Sequence, residues 1–186
     1  MLYLVEFADW NSQVKIGYGC GNGYSHVSMG YTDSMKFHTG TTQSSKTTYG
    51  FGTQYRHIEG IWDNVYDFCD GIRFDGTSIY CILNPTNFSD SAGGTLIGTR
   101  PTSNGYIKAW GDNPNGDFNW ALYPSDVSGA QSTYICDSNS YNSTGKVLTV
   151  GGDNTKYLNH GMFYMGGTDT AETTYAGIGS RLMVLP

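Results

Sequence analysis

The sequence predicts an α+β fold of many short strands, few helices and long ordered loops, and three features of composition point to it. Gly, Ser, Thr, Asn and Tyr together make up about half of the 186 residues, a palette of turns and surfaces rather than of helices. The acidic residues divide into 13 Asp and 3 Glu; Asp competes for backbone hydrogen bonds at caps and turns, whereas Glu favours helix interiors, so a helical bundle is excluded. Aromatic residues at 15% supply the large apolar groups that disordered chains lack, so the chain folds. Its length suffices for one hydrophobic core, and with no internal repeat, charge block or Pro-rich linker we expect a single domain over 1–186.

The elements follow in order. Residues 1–19 begin with an apolar stretch (Leu2, Leu4, Val5, Phe7, Trp10) and continue with Val14, Ile16 and Tyr18 alternating with Gln13, Lys15 and Gly17, which suits a helix end or strand followed by a strand. Residues 20–54 carry only short alternations and read as strands and surface loops. The strongest helix pattern is YRHIEGIWDNVYDFCDGI, where Ile58, Ile61, Trp62, Val65, Phe68, Cys69 and Ile72 recur at spacings of three and four, with Gly71 as the expected stop. Thr77 to Leu83 predicts a core strand ending at Asn84-Pro85. Residues 86–129 read as loops around a short strand at Tyr106–Trp110. Further strands are expected at Ser132–Cys136, Lys146–Val150 and Arg181–Leu185, the first two separated by the polar loop DSNSYNSTG.

Several chemistries find no support in the sequence. A net charge of -6 leaves no basic patch for a phosphate backbone, so neither nucleic acid nor an anionic membrane is an expected partner. The segment MLYLVEFADW carries Glu6 and Asp9 and no basic n-region, so no signal peptide and no membrane insertion are expected there. Cys20, Cys69, Cys81 and Cys136 lack metal-ligand spacing and are expected as buried thiols, with one disulfide as the alternative. The four histidines (His26, His38, His57, His160) form no HExxH pattern, and no nucleophile elbow or phosphate loop is present; we expect no metal, no cofactor and no catalytic residue. Asp63, Asp67 and Asp70 would share one face of the expected helix, where a solvated polar face explains them better than a cation site.

The stretch from Val150 to Ile178 differs in kind. Tyr offers contact area at low rotamer cost, and Asn, Ser, Thr and Gly offer adaptable hydrogen bonds, which is the composition of evolved binding loops. The candidate ligand-binding residues are Asp153, Asn154, Lys156, Tyr157, Asn159, His160, Phe163, Tyr164, Asp169, Thr170, Thr174 and Tyr175, with Tyr157, Tyr164 and Tyr175 as anchors.

A family resemblance accompanies these residues. Asp63-Asn-Val-Tyr-Asp-Phe68 resembles the GNVWEW motif of the formylglycine-generating-enzyme branch of the C-type lectin fold; Val150-Gly-Gly152 resembles its RGGS turn, and Ile178-Gly-Ser-Arg-Leu182 its terminal GFRL strand. The layout of Gly151-Gly152, Gly161 and Ile178-Gly-Ser-Arg181 is similar to the variable proteins of diversity-generating retroelements. LYLVEFADWNSQ, together with the 55–72 segment, resembles prophage tail proteins, which implies that the chain is the C-terminal part of a longer tail protein. The resemblance implies a C-type lectin fold with one or two helices and a variable ligand-binding segment at 151–177. It also implies trimeric display on a phage tail, facing outward from the virion toward a host cell-surface protein or glycan and assembling with other tail proteins. Enzymes of the branch carry a reactive cysteine pair before the terminal strand; no Cys follows Cys136, so the expected function is binding without catalysis. The alternative is a structural tail or capsid-decoration protein that binds no host receptor.

Overall fold

The computed structural model describes residues 54–55, 58–60, 62, 64–113, 116–133, 135, 137–155 and 159–179. In chain order the strands are β1 (Gln54–Tyr55), β2 (Ile58–Glu59), β3 (Tyr66–Asp75), β4 (Ser78–Cys81), β5 (Thr95–Thr99), β6 (Gly105–Tyr106), β7 (Ala109–Asp112), β8 (Leu122–Asp126), β9 (Ser138–Tyr141), β10 (Val147–Val150), β11 (Met165–Gly167) and β12 (Ile178–Gly179). The helical elements described in full are two single 3-10 turns, Pro85–Asn87 and Gly116–Phe118. None is long and apolar enough to cross a membrane.

The α+β expectation is therefore overturned: the described chain is nearly all β, a mixed sheet curled into a half-barrel, without the one or two helices of a C-type lectin fold. The main correction is the helix expected over 55–72, which is the β1–β2 hairpin, an irregular approach and the first part of β3. Positive φ at Gly60 (64°), Asn64 (44°) and Gly71 (84°) interrupts any helix there. Gly71, the expected helix stop, lies within β3. Leu148 of β10 pairs with Cys69 and the next residue back, Val147, with Arg73, so three residues of β3 bulge between them. Alternation broken by a bulge places Cys69, Ile72 and Phe74 on one core, and those intervals imitate helical spacing. A Cβ at Gly71 would lie 2.9 Å from the Phe88 ring and 3.0 Å from the Ile82 carbonyl oxygen, so the bulge needs glycine for space as well as for φ.

β3 is the spine. Its C-terminal half pairs antiparallel with β4 through the turn at Gly76, with Phe74 opposite Ile79, and β5 continues the sheet beyond β4. On its other edge come β10, β11, β9 and β6, with the β11–β9 pair parallel. The N-terminal half of β3 receives β12 in parallel, Ile178 opposite Tyr66. Two expected strands are found, at β4 and β10, and the expected stop after the first is the Asn84 side chain accepting the Thr86 N–H at 3.1 Å ahead of the Pro85 turn. The single strand expected at Tyr106–Trp110 divides into β6 and β7. The strand expected at Ser132–Cys136 is turn at Gln131–Thr133, and β9 falls instead in the polar loop that follows; β5, β8 and β11 also form where loops were expected. Strands expected before residue 54 and at Arg181–Leu185 lie outside the described residues, as do Cys20, Cys136, His26, His38, His57 and Asp63. Cys69 and Cys81 are free thiols.

The core lies between the curled sheet and the β7–β8 ribbon. Phe74, Ile79, Cys81, Ile97 and Leu148 of the sheet meet Phe118 and Ala121, which lead into β8. Burying each of the larger side chains contributes about 1.5–3 kcal/mol. Tyr123 of β8 lies across Gly98 and Gly111, where a Cβ would come within 2.2 and 2.7 Å of its ring, so two glycines let the ribbon settle on the sheet. Arg100, 5% exposed, stands between Phe74 and Tyr141, with its guanidinium carbon 4.1 and 4.7 Å from their ring centroids. Its donors serve the carbonyls of Gly76 (3.0 and 2.9 Å), Gly167 (2.7 Å), Asn142 (3.0 Å) and Gly145 (3.3 Å). One side chain thus ties the β3–β4 turn to the β9–β10 connection and to β11.

Candidate functional site

The segment from Gly151 to Gly167 is fixed by close approaches that begin with glycine. Gly151 and Gly152 leave β10 with φ of 81° and 74°, and a Cβ on Gly152 would lie 2.2 Å from the Cβ of His160. The chain then turns on Asp153, whose Oδ1 accepts the Thr155 N–H (3.1 Å) and hydroxyl (2.7 Å), an Asx-type turn that satisfies the carboxylate locally. Asp137, fully buried, accepts the Phe163 N–H at 2.7 Å through Oδ2. A Cβ on Gly161 would meet that carboxyl group at 2.7 Å, so the turn at 161–164 is shaped around the buried Asp137 side chain.

Behind this segment lies a cluster of rings. His160 and Tyr164 lie 3.9 Å apart between centroids with their planes tilted by 39°; Tyr66 lies 5.4 Å from His160 and 5.3 Å from Tyr164, and Tyr175 meets Tyr66 edge-on at 6.5 Å. The Asp153 N–H donates to His160 Nδ1 at 3.2 Å, so Nδ1 is an acceptor and the proton of the neutral ring sits on Nε2. With that tautomer the 3.8 Å approach of Asp153 Oδ1 to Nδ1 is no ion pair, and the Tyr66 hydroxyl, 3.3 Å from Nδ1, is a second donor to it. Burial pushes the Tyr66 phenol far above its ordinary range, helped by Tyr164 and Asp153; Tyr164 is raised by burial and Tyr175 by burial and then by Asp169 and Asp153. These phenols are neutral donors at any physiological pH.

In front of the cluster lies a groove of about 310 Å³, lined by Asn104, Gly105, Tyr106, Ser138, Asn139, Ser140, Asn159 and His160. β6 and β9 form one wall and the 159–160 turn the other. The described lining side chains are amide, hydroxyl, imidazole and phenol. The Tyr106 hydroxyl donates to Asn159 Oδ1 across the groove, Asn104 Oδ1 accepts the Tyr141 N–H at 2.7 Å, and Asn139 Nδ2 reaches the Ser103 carbonyl at 3.5 Å. Held side chains of this kind present donors and acceptors at low ordering cost. Among the described residues no group of three or more His, Cys, Asp or Glu could hold a metal ion.

The residues expected at the site fall into distinct places. Asp153, Asn154, His160, Phe163 and Tyr164 are buried and hold the scaffold, so Tyr164 is a packed ring rather than a presented anchor. Asn159 is half-buried on the groove; Asp169 and Thr170 are half-buried and Thr174 and Tyr175 exposed on the stretch leading to β12. Lys156 and Tyr157 lie outside the described residues. The structure adds Asn104, Tyr106 and Asn139, which sequence reasoning missed. Their available signal was the Asn104-Gly105 pair, which read only as a turn, whereas the β6–β9 pairing carries it to the groove wall. Comparison with known proteins adds no relative: no family model, no curated protein and no solved structure matches this chain.

Proposed function

We propose that the chain is a ligand-binding domain, displayed on a phage tail fibre or tip, that recognises a host cell-surface protein or glycan and performs no catalysis on it. The observation that carries this reading is the groove whose described lining is Asn104, Tyr106, Asn139, Asn159 and neighbouring hydroxyls, mounted on paired strands, with the exposed Tyr175 meeting Tyr66 of the ring cluster to which His160 of the groove also belongs. Neutral amides and hydroxyls on a rigid frame favour polar, uncharged surface groups, and an exposed tyrosine supplies apolar contact area. Single sites of this kind bind weakly, and trimeric display on a tail would raise the avidity. The retroelement layout around Gly151-Gly152 and Ile178 supports a diversified face. Substitutions would then be tolerated at Asn159, Thr170, Thr174 and Tyr175 and resisted at the buried positions.

Flow cytometry of the fluorescently labelled chain on a panel of bacterial strains tests the reading. Saturable binding to at least one strain is expected, lost in the double variant Tyr106→Ala/Asn159→Ala while the melting temperature of that variant stays near wild type. Binding to purified tail proteins with none to any cell would favour the structural alternative. Cell binding unaffected by the double variant would remove the groove from the interaction.

A further inference from the structure

We propose that His160 is a pH switch for the polar groove, in which the turn from Gly152 to Asn159 takes one arrangement around the neutral imidazole and another around the imidazolium. The ring is 3% exposed, yet it belongs to the lining of the groove. Two groups of a single residue compete for its Nδ1. The Asp153 N–H donates to it at 3.2 Å, and Asp153 Oδ1 stands 3.8 Å from it, beyond hydrogen-bond range. The first contact suits a neutral ring and the second a charged one. Histidine is the side chain whose charge ordinarily changes between pH 5 and 8.

Protonation turns Nδ1 from an acceptor into a donor, and its neighbours differ in how they can respond. The Tyr66 hydroxyl, 3.3 Å away, can rotate and accept, because a phenol has both functions. The Asp153 N–H can only donate, so its bond to the ring breaks. A buried imidazolium needs a paired charge, and among the described residues Asp153 is the carboxylate that approaches Nδ1. Its Oδ1 has to close by about 1 Å to make the bond. That movement draws it from the Thr155 N–H and hydroxyl, which it accepts at 3.1 and 2.7 Å. There is little slack to absorb the change, since a Cβ on Gly152 would lie 2.2 Å from the His160 Cβ and Tyr164 lies 3.9 Å from the ring on another side. Asn159, the preceding residue, holds the Tyr106 hydroxyl across the groove, so a shift of the turn reaches the groove wall. The other titratable groups around the ring are Tyr66 of β3 and Tyr164 ahead of β11, whose raised phenols stay neutral, Asp137 against Gly161, and Asp169 and Tyr175 on the stretch leading to β12.

The switch is a property of the turn, and only its effect on recognition rests on the groove reading above. It is tested without a ligand, by NMR of the full chain labelled with nitrogen-15. Between pH 8 and pH 5 the His160 ring nitrogens are expected to titrate. In step with them the Asp153 and Thr155 amides should lose about tenfold in protection against hydrogen exchange, after correction for the intrinsic rate. The Asn159 side-chain amide signals should move with the same midpoint. His160→Gln offers an oxygen to the Asp153 N–H and takes up no proton, so it should keep the neutral arrangement at both ends of the range. Asp153→Asn keeps an oxygen for Thr155 but removes the charge, and should lower the midpoint by about one pH unit or more. A His160 ring that does not titrate above pH 5, or that titrates while the three signals stay still, overturns the switch. If His160→Gln does not fold, Asp153→Asn decides, because an unchanged midpoint refutes the exchange of partners. The transition seen by NMR together with equal cell binding at pH 8 and pH 5 would confirm the switch and remove the groove from recognition.

Discussion

Replacing Arg100 by Met tests whether the sheet is held by a side chain rather than by strand pairing alone. The guanidinium makes five contacts with four carbonyls, and because Nη2 has two hydrogens for three acceptors, they amount to four full bonds. At about 1 kcal/mol net for each, these bonds contribute about 4 kcal/mol. Against this stands the cost of burying a charge with no carboxylate beside it, a cost visible in the lowered pKa that burial imposes on Arg100. Met removes that cost and fills much of the volume, but it takes the arginine donor from the carbonyls of Gly145 and Gly167, both buried, and leaves the second with the Asn142 N–H at 3.3 Å. The second effect wins, since a buried carbonyl that loses a charged donor costs more than the net worth of the bond. We therefore expect a net loss of about 3 kcal/mol, a large part of the 5–15 kcal/mol typical of a domain. Urea unfolding followed by tryptophan fluorescence reads it as a fall of about 1–3 M in the midpoint with unchanged slope. Arg100→Lys keeps the charge without the fork and should recover less than half of the loss. A fall under about 0.3 M for Arg100→Met would refute the reasoning, because the carbonyls would then be satisfied without the arginine.

Two further outcomes follow from the buried titratable groups. The phenols of Tyr66, Tyr164 and Tyr175 are raised from an ordinary value of 10.0, so the folded chain keeps protons that the unfolded chain releases. Their contribution is fully present below pH 10 and is lost above it at about 1.4 kcal/mol per pH unit for each of the two buried phenols, less for exposed Tyr175. Melting temperatures flat across pH 7–9 and falling steeply beyond about pH 10 are expected, and Tyr66→Phe should flatten the fall. The Cys69 thiol is pushed up to about 11 by burial, then by Asp67 and Asp70, so iodoacetamide at pH 8 should label it slowly in the folded chain and readily in urea. Peptide mapping by mass spectrometry checks this, and equal labelling in both states would place Cys69 at the surface.

Where local pattern and tertiary environment agree, the sequence was legible. β4 and β10 are apolar runs closed by Asn84-Pro85 and Gly151-Gly152, and both form as expected. The 55–72 segment misled because a bulge at Gly71 resets alternation, and the pairing partner that imposes the bulge lies more than seventy residues away in β10. β9, with the sequence SNSY, has no hydrophobic pattern; it is a strand because β6 and β11 flank it on both sides. At the site, composition marked 151–177 as unusual but could not separate His160 and Tyr164, which are buried, from Tyr175, which is exposed. The polar groove needed Asn104 and Tyr106, and only the folded sheet brings them beside Asn159.

The parallel pairing of β12 with β3 also constrains how the molecule is made. Tyr66 and Ile178 are partners separated by roughly 110 residues, so a ribosome working at about 5–20 residues per second delivers the first about 5–20 s before the second. During that interval the N-terminal half of β3 offers an unpaired edge to any neighbouring nascent chain. Sheet completion is therefore a late event, governed by topology rather than by local propensity, and expression at low temperature or with a chaperone that shields strand edges should favour soluble protein.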